Sequence, residues 1–397
     1  MATHTNSHYM QANTNTNTTA KSARLVSLDA LRGFDMFWIM SGEQIIHALA
    51  KTTNWPLFVW FSGQLHHTVW NGITFYDMIF PLFLFIAGVS TPYSLLKKMQ
   101  AAGVESAGSL PAAEKKKIYL NMLKRTCILL VLGMMVNGLL KFNGYHNIRF
   151  ASVLGRIGLA WFFAGLIYLN FSIRGQVIWL VLLLLGYWAA MMLIPVPGFG
   201  AGVLTMDGSL ESYIDRLLLP GRLHDKVHDP EGILSTIPAI GTALLGVLTG
   251  SFLQNGRLRL TMFQKACLMA AAGLVLIGAG SVFNLVFPIN KRLWSSSFVL
   301  YVGGFSLVFL SVFYLVIDVW GFKKWAQPFV WTGANSILIY LCAEGAVDFA
   351  HTAGYLFGGL IQAAPVNWQP VWQAVSVTTL QLVLLYWLYR NKIFLKI

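Results

Sequence analysis

The sequence predicts an all-α, polytopic integral membrane protein with about ten transmembrane helices and both termini in the cytoplasm. Three observations carry that expectation. Hydrophobic residues make up 56% of the 397-residue chain and charged residues only 11%, a balance that one water-soluble core does not absorb. Nearly uncharged runs of about 20 residues recur along it, long enough to cross a hydrocarbon layer of roughly 30 Å, and a chain in lipid satisfies its backbone internally by forming helix. Lys and Arg, finally, are unevenly shared among the segments between those runs.

Residues 1–20, MATHTNSHYMQANTNTNTTA, are polar and rich in Thr and Asn, and read as a disordered tail; a signal peptide needs an apolar stretch before a small-residue cleavage site. Residues 21–397 then form a single membrane domain. Its spans begin near Leu28, Thr74, Ile118, Ser152, Gln176, Ser235, Thr261, Ser295, Gln327 and Pro370. The stretch from Trp55 to Gly63 is too short to cross and rich in aromatics, so it lies at an interface, as does Phe349 to Ile361. The longest external stretch, Pro195 to Leu234, carries several charges and caps the bundle.

With the N-terminus inside, Lys97, Lys98, Lys115, Lys116, Lys117, Lys124, Arg125, Arg257, Arg259, Lys265, Lys323, Lys324, Arg390, Lys392 and Lys396 are cytoplasmic. The opposite loops hold fewer, chiefly Lys51, Lys141, Arg149, Arg216, Arg222, Lys226, Lys291 and Arg292. This is the positive-inside pattern, and it accounts for the net charge of +13 without a nucleic-acid partner. Cys127, Cys267 and Cys342 sit in apolar runs without CxxC or Cys/His spacing. They read as small buried hydrophobes, so neither a disulfide framework nor a metal site is expected.

The chemistry must then lie in polar residues kept in or beside the spans. Asp29, Arg32, Asp35 and Glu43 cluster on the first; Asp77, Arg156, Asn335, Glu344 and Asp348 belong to later ones. Ionisable groups at such depth are costly and tend to face a cavity or a partner. Asp29 and Arg32, three apart, share a helix face and serve either as a structural ion pair or as a ligand site. In QLHHTVWNGITFYDMIFPLFLFIAG, His66 and His67 stand just before the second span, at its external end. An imidazole there can take a proton near neutral pH, and Asp77 or Glu43 could orient it. Local sequence does not choose between the two histidines.

RLVSLDALRGFDMF from Arg24, HTVWNGITFYDMIFPLFLFIAG from His67, VLGRIGLAWFF from Val153, YIDRLLLPG from Tyr213, DPEGILSTIPAIGTALLGVLTG from Asp229, PINKRLWSSSFVLY from Pro288, GANSILIYL from Gly333 and YRNKIFLKI from Tyr389 resemble the heparan-α-glucosaminide N-acetyltransferase family. The segments follow the family's order across nearly the whole chain after the tail. The resemblance implies an enzyme that takes acetyl from cytoplasmic acetyl-CoA and delivers it, across the membrane, to the amino group of glucosamine or a related amino sugar. It singles out His67, in His-x-x-Trp-Asn-Gly, as the catalytic histidine. In the reaction so implied, Asp77 or Glu43 orients His67 as general base, and Asn71 or Asn335 meets the developing oxyanion. Where larger members carry an asparagine, counting from Gly33 places Glu43.

The phosphates of acetyl-CoA need cationic partners on the cytoplasmic side, with Arg32 beside Asp29 foremost, then Lys124 and Arg125 and more loosely Lys97 and Lys98. Asn335 belongs to the same candidate donor-binding set. No metal is implied and no Walker-type loop occurs. The family's large lumenal N-terminal domain and leading helix have no counterpart, so the chain looks like the family's compact bacterial form, a homodimer of the inner membrane in contact with lipid. Two alternatives stay open at this level: an acetyl-histidine intermediate in place of direct transfer, and a carrier of N-acetylglucosamine or another amino sugar in place of an enzyme.

Overall fold

The computed structural model describes residues 25–104, 107–141 and 144–395; the tail expected over residues 1–20 lies outside them. In chain order, α1 (Val26–Phe37) passes through a π-helical stretch (Trp38–Gly42) into α2 (Glu43–Thr53). The short α3 (Pro56–Gln64) starts on a proline and leaves Leu57, Val59 and Trp60 exposed, as suits an interfacial helix. Four long helices follow, α4 (Phe75–Ala101), α5 (Ala112–Val136), α6 (Val153–Asn170) and α7 (Ile173–Leu193). A long connection holds α8 (Leu210–Leu218). Then come α9 (Thr236–Gln254), α10 (Met262–Phe283), α11 (Ser296–Phe313, prolonged by a π-helical stretch to Val319), α12 (Gln327–Ala334), α13 (Ser336–Leu341), α14 (Phe349–Ala363) and α15 (Gln369–Arg390).

Among the described residues, eight helices are long and apolar enough to cross a membrane: α4 to α7, α9, α10, α11 with its extension, and α15. The other two expected spans are helical but interrupted. α1 and α2 are separated by the π-helical stretch. The segment from Gln327 breaks at Asn335, whose φ of −127° and ψ of 32° are not helical, and again at Glu344 and Gly345. Gly345 has φ +120°, which a residue with a Cβ rarely adopts. Hydroxyls at the N-caps Ser152, Ser172, Ser209, Thr261 and Ser295 accept backbone N–H groups and fix where five of the helices begin.

Small residues let the helices approach closely. A Cβ on Gly33 of α1 would lie 1.7 Å from the Phe329 carbonyl oxygen of α12, and one on Gly304 of α11 would lie 2.5 Å from the Gly273 oxygen of α10. The outward faces of α7 and α10 expose apolar residues such as Ile178, Leu182, Leu274 and Val275, as a lipid-facing surface requires. Cys127 and Cys267 belong to such outer faces: both are exposed and free, contrary to the burial expected of them. In a membrane protein both the core-facing and the lipid-facing side of a helix are apolar, so an apolar run alone does not say on which side a cysteine lies.

The chain ends of the described structure, Leu25 and Leu395, line one cavity and mark one end of the bundle. The loops before α4, between α5 and α6, between α7 and α9 and between α10 and α11 gather at the other, which carries the site.

Candidate active site

α4 begins at the far end with Thr74 at its N-cap and Asp77 three residues on. Asp77 is fully buried, and its two oxygens do different work. Oδ2 accepts from the backbone N–H groups of Thr68 and Thr74, each at 3.2 Å, and from their hydroxyls at 2.9 and 3.1 Å. These bonds close the helix end and hold the carboxylate still. Oδ1 stands 2.8 Å from Nδ1 of His67. Carboxylate and imidazole so arranged place the Nδ1–H on the Asp77 side, and Nε2 keeps its lone pair for the cavity.

The loop carrying His67 is pinned at each residue of its motif. Trp70 Nε1 donates to the Leu204 carbonyl at 2.9 Å, Asn71 Oδ1 accepts from Asn290 Nδ2 at 3.1 Å, and Gly72 N donates to the Ile289 carbonyl at 2.9 Å. Gly72 has φ +103°, which explains a glycine there. The latch onto Ile289 and Asn290 brings in the next residue, Lys291. Its Nζ lies 3.0 Å from His67 Nδ1, 3.4 Å from Nε2 and 3.4 Å from Asp77 Oδ1. Burial pushes the Lys291 ammonium below the usual lysine range, and the Asp77 carboxylate opposes that shift.

His67, Asp77 and Lys291 line a cavity of about 390 Å³ with Arg149, Glu231, Tyr340 and Glu344. Arg149 binds Asp229 through two hydrogen bonds, of 2.6 and 2.8 Å, and also pairs with Glu231. The wall thus presents cations and carboxylates together, with His67 among them. His66 faces elsewhere, its ring stacked on His47 at 4.4 Å. Glu43 does not reach His67; the Tyr76 hydroxyl turns toward its carboxylate, and the Tyr76 ring lies 4.8 Å from the His67 ring.

At the termini end a cavity of about 520 Å³ is lined by Asp29, Arg32, Ser90, Arg125 and Trp161. Arg32 donates to Ser90 Oγ at 2.8 Å and stands 3.6 Å from Asp29. Arg125 lies 4.5 Å over the Trp161 ring, and its buried Nε meets no hydrogen-bond partner. Lys124 is exposed and does not line this cavity. Asn335 is engaged with the C-terminal segment instead, donating to the Ile393 carbonyl at 2.9 Å and accepting from Leu395 N at 3.1 Å.

A narrow apolar space of about 30 Å³, walled by Met36, Ile39, Phe80, Phe83, Val153, Leu154, Ile157, Ile337 and Tyr340, lies between the two. Leu154 belongs to all three cavities, Val153 and Tyr340 to the neck and the far-end cavity, and Phe83, Ile157 and Ile337 to the neck and the termini-end cavity. The three therefore follow one line through the bundle.

Residues 24–288 match the family model described as heparan-alpha-glucosaminide N-acetyltransferase, catalytic. Lys291 falls just past that segment. Over 383 residues the chain is 30% identical to the heparan-alpha-glucosaminide N-acetyltransferase of Homo sapiens and 28% identical to that of Mus musculus. The alignments cover 83% of this chain and 55% and 56% of those proteins, so the chain spans about half the length of the curated relatives it matches. On the extent of the family match, this chain belongs to the heparan-alpha-glucosaminide N-acetyltransferase family.

Proposed function

We propose that this protein is a transmembrane N-acetyltransferase that takes acetyl-CoA at the termini end and acetylates the amino group of glucosamine or a related amino sugar at the far end. The carrying observation is the line of three cavities. It joins a site with two arginines to a site with a buried carboxylate and a histidine through a narrow apolar neck that shares walls with both, and whose side chains would have to part for an arm to pass. A nucleotide phosphate fits the termini end: Arg32 and Arg125 face one cavity, and the buried Nε of Arg125 is a donor lacking an acceptor. The donor's arm would follow the neck, delivering its thioester beside His67. Asp77 and Ser90, at the two ends of that path on α4, are roughly 20 Å apart at the rise of an α-helix.

An amine attacks only through a lone pair. His67 Nε2, with Asp77 holding the ring from the other side, takes the amine's proton as the new N–C bond forms and the thioester C–S bond breaks, its electron pair leaving on sulfur. Glu231 is paired with Arg149 and Asp77 with Lys291, which leaves Glu344 as the cavity carboxylate to meet a cationic, hydroxyl-rich acceptor. By the Lys/Arg distribution the termini end is cytoplasmic, which puts the acceptor in the periplasm of a bacterial inner membrane and the donor in the cytoplasm.

The test is direct. Purified protein given acetyl-labelled acetyl-CoA and a panel of amino sugars should yield labelled N-acetyl sugar. No product with any amine, together with sugar uptake into liposomes in the absence of CoA, would replace the enzyme reading by a transporter.

A further inference from the structure

The proposed chemistry develops negative charge on the acetyl carbonyl oxygen, and neither amide expected to meet it stands there. Asn71 does not line the far-end cavity and is latched through its Oδ1 to Asn290, and Asn335 is at the opposite end of the bundle holding Ile393 and Leu395. Lys291 is at the right end. A nitrogen 3.0 Å and 3.4 Å from the two imidazole nitrogens does not lie in the ring plane, where it would collide with the carbon between them. It stands over the face of the ring. Both in-plane directions of His67 therefore stay available, Nδ1–H toward Asp77 and the Nε2 lone pair toward the cavity.

A lysine ammonium has three N–H donors. Here they meet one carboxylate oxygen, at 3.4 Å, and a ring face, which leaves at least one for the cavity that Lys291 lines. The cation is thus held beside the base, its charge matched by Asp77, with a donor left for the cavity that His67 also lines.

We propose that Lys291 is a catalytic residue: its ammonium bonds the acetyl carbonyl oxygen as charge develops there, while His67 removes the proton from the attacking amine. This rests on the acetyl-transfer reading above. Before attack, Asp77 and Lys291 cancel. During it an imidazolium and an oxyanion arise together, and Lys291 faces the second. When the C–S bond breaks the carbonyl reforms and Lys291 is left unchanged. Fixed charges of this kind, placed before the reaction, contribute strongly to acyl transfer.

The experiment compares Lys291→Met with Lys291→Arg, using acetyl-CoA and glucosamine. Removing the charge should lower kcat by about 10² to 10³, the usual loss for one oxyanion donor, while acetyl-CoA binding and KM for acetyl-CoA stay near wild type. Lys291→Arg, which keeps a cationic donor, should recover at least about tenfold of that loss. If the Met variant does not fold, Lys291→Gln against Lys291→Arg makes the same comparison. Turnover by the Met variant close to wild type, or equal losses in all variants, would overturn the proposal and leave Lys291 a structural partner of Asp77. A wild-type protein that acetylates no amine would instead sink the functional reading itself, and Lys291's role with it.

Discussion

His66 and His67 are adjacent in the chain but meet different surroundings, and the difference is measurable. His67 is bonded to Asp77 and lines the far-end cavity; His66 stacks on His47 away from it. General-base assistance contributes about 10² to 10⁴ in rate, so His67→Ala should slow acetyl transfer by that factor with acetyl-CoA binding intact, while His66→Ala stays within a few-fold of wild type. Steady-state rates on both variants decide it, and normal turnover by a folded His67→Ala protein would exclude His67 as the base. With direct transfer, no labelled acetyl stays on wild-type protein in the absence of an amine. Local sequence put His66, His67 and Asp77 into one unit, the loop and first turn of α4, without choosing between the histidines or between Asp77 and Glu43, and the family resemblance singled out His67. Sequence could not point to Lys291, Arg149 or Glu231, which come from other loops and meet His67 only through packing. Lys291 reads in the chain as one more external lysine, and the role of Asn71, a latch on Asn290, is hidden until both loops are seen together.

At the scale of elements, composition was enough for the helices but not for their interruptions. Spans beginning at Ser152, Thr261 and Ser295 were legible because those residues are N-caps in front of apolar runs. The breaks at Asn335 and at Glu344 and Gly345 are set by local backbone geometry, which hydropathy does not encode. The α8 region was legible only as a charged cap, and its inside is unusual. Glu211, Ser212, Asp215 and His228 are all fully buried. Burial pushes the Glu211 carboxyl up to about 8 and, with Glu211 beside it, the Asp215 carboxyl to about 8, while burial lowers His228 to about 4. The 2.9 Å contact between Glu211 and His228 Nδ1 is then a neutral hydrogen bond, with the carboxyl O–H donating. A carboxyl whose folded pKa is raised favours folding at low pH and loses that contribution as pH rises from its ordinary 4.5 through the folded value. His228, held low, acts oppositely, costing stability as pH falls below 6.5. Thermal stability in detergent should therefore decline as pH rises from neutral through about 8, and Glu211→Gln, which fixes a neutral side chain, should flatten that limb. An unchanged slope in Glu211→Gln would mean that other groups govern it.

Over the whole molecule, the two ends are useful only if something connects them, and the neck is where that is decided. Leu154, 4% exposed, touches the far-end cavity, the neck and the termini-end cavity together. Its position near the start of α6 lets one substitution narrow the path without removing any polar or charged group at either end. Leu154→Trp should leave binding of adenosine 3′,5′-bisphosphate, which has the nucleotide phosphates but no arm, close to wild type. It should weaken acetyl-CoA binding and lower transfer by about 10² or more, since displacing a reacting group by even an ångström costs on that order. Equilibrium binding of the two ligands and the transfer rate give three independent readings. Loss of bisphosphate binding would mean that the larger ring disturbed the bundle, and Leu154→Phe, a smaller intrusion, then gives the graded comparison. Full transfer activity in a folded Leu154→Trp protein would show that the thioester reaches His67 by another route, and the line of cavities would no longer describe how the two ends communicate.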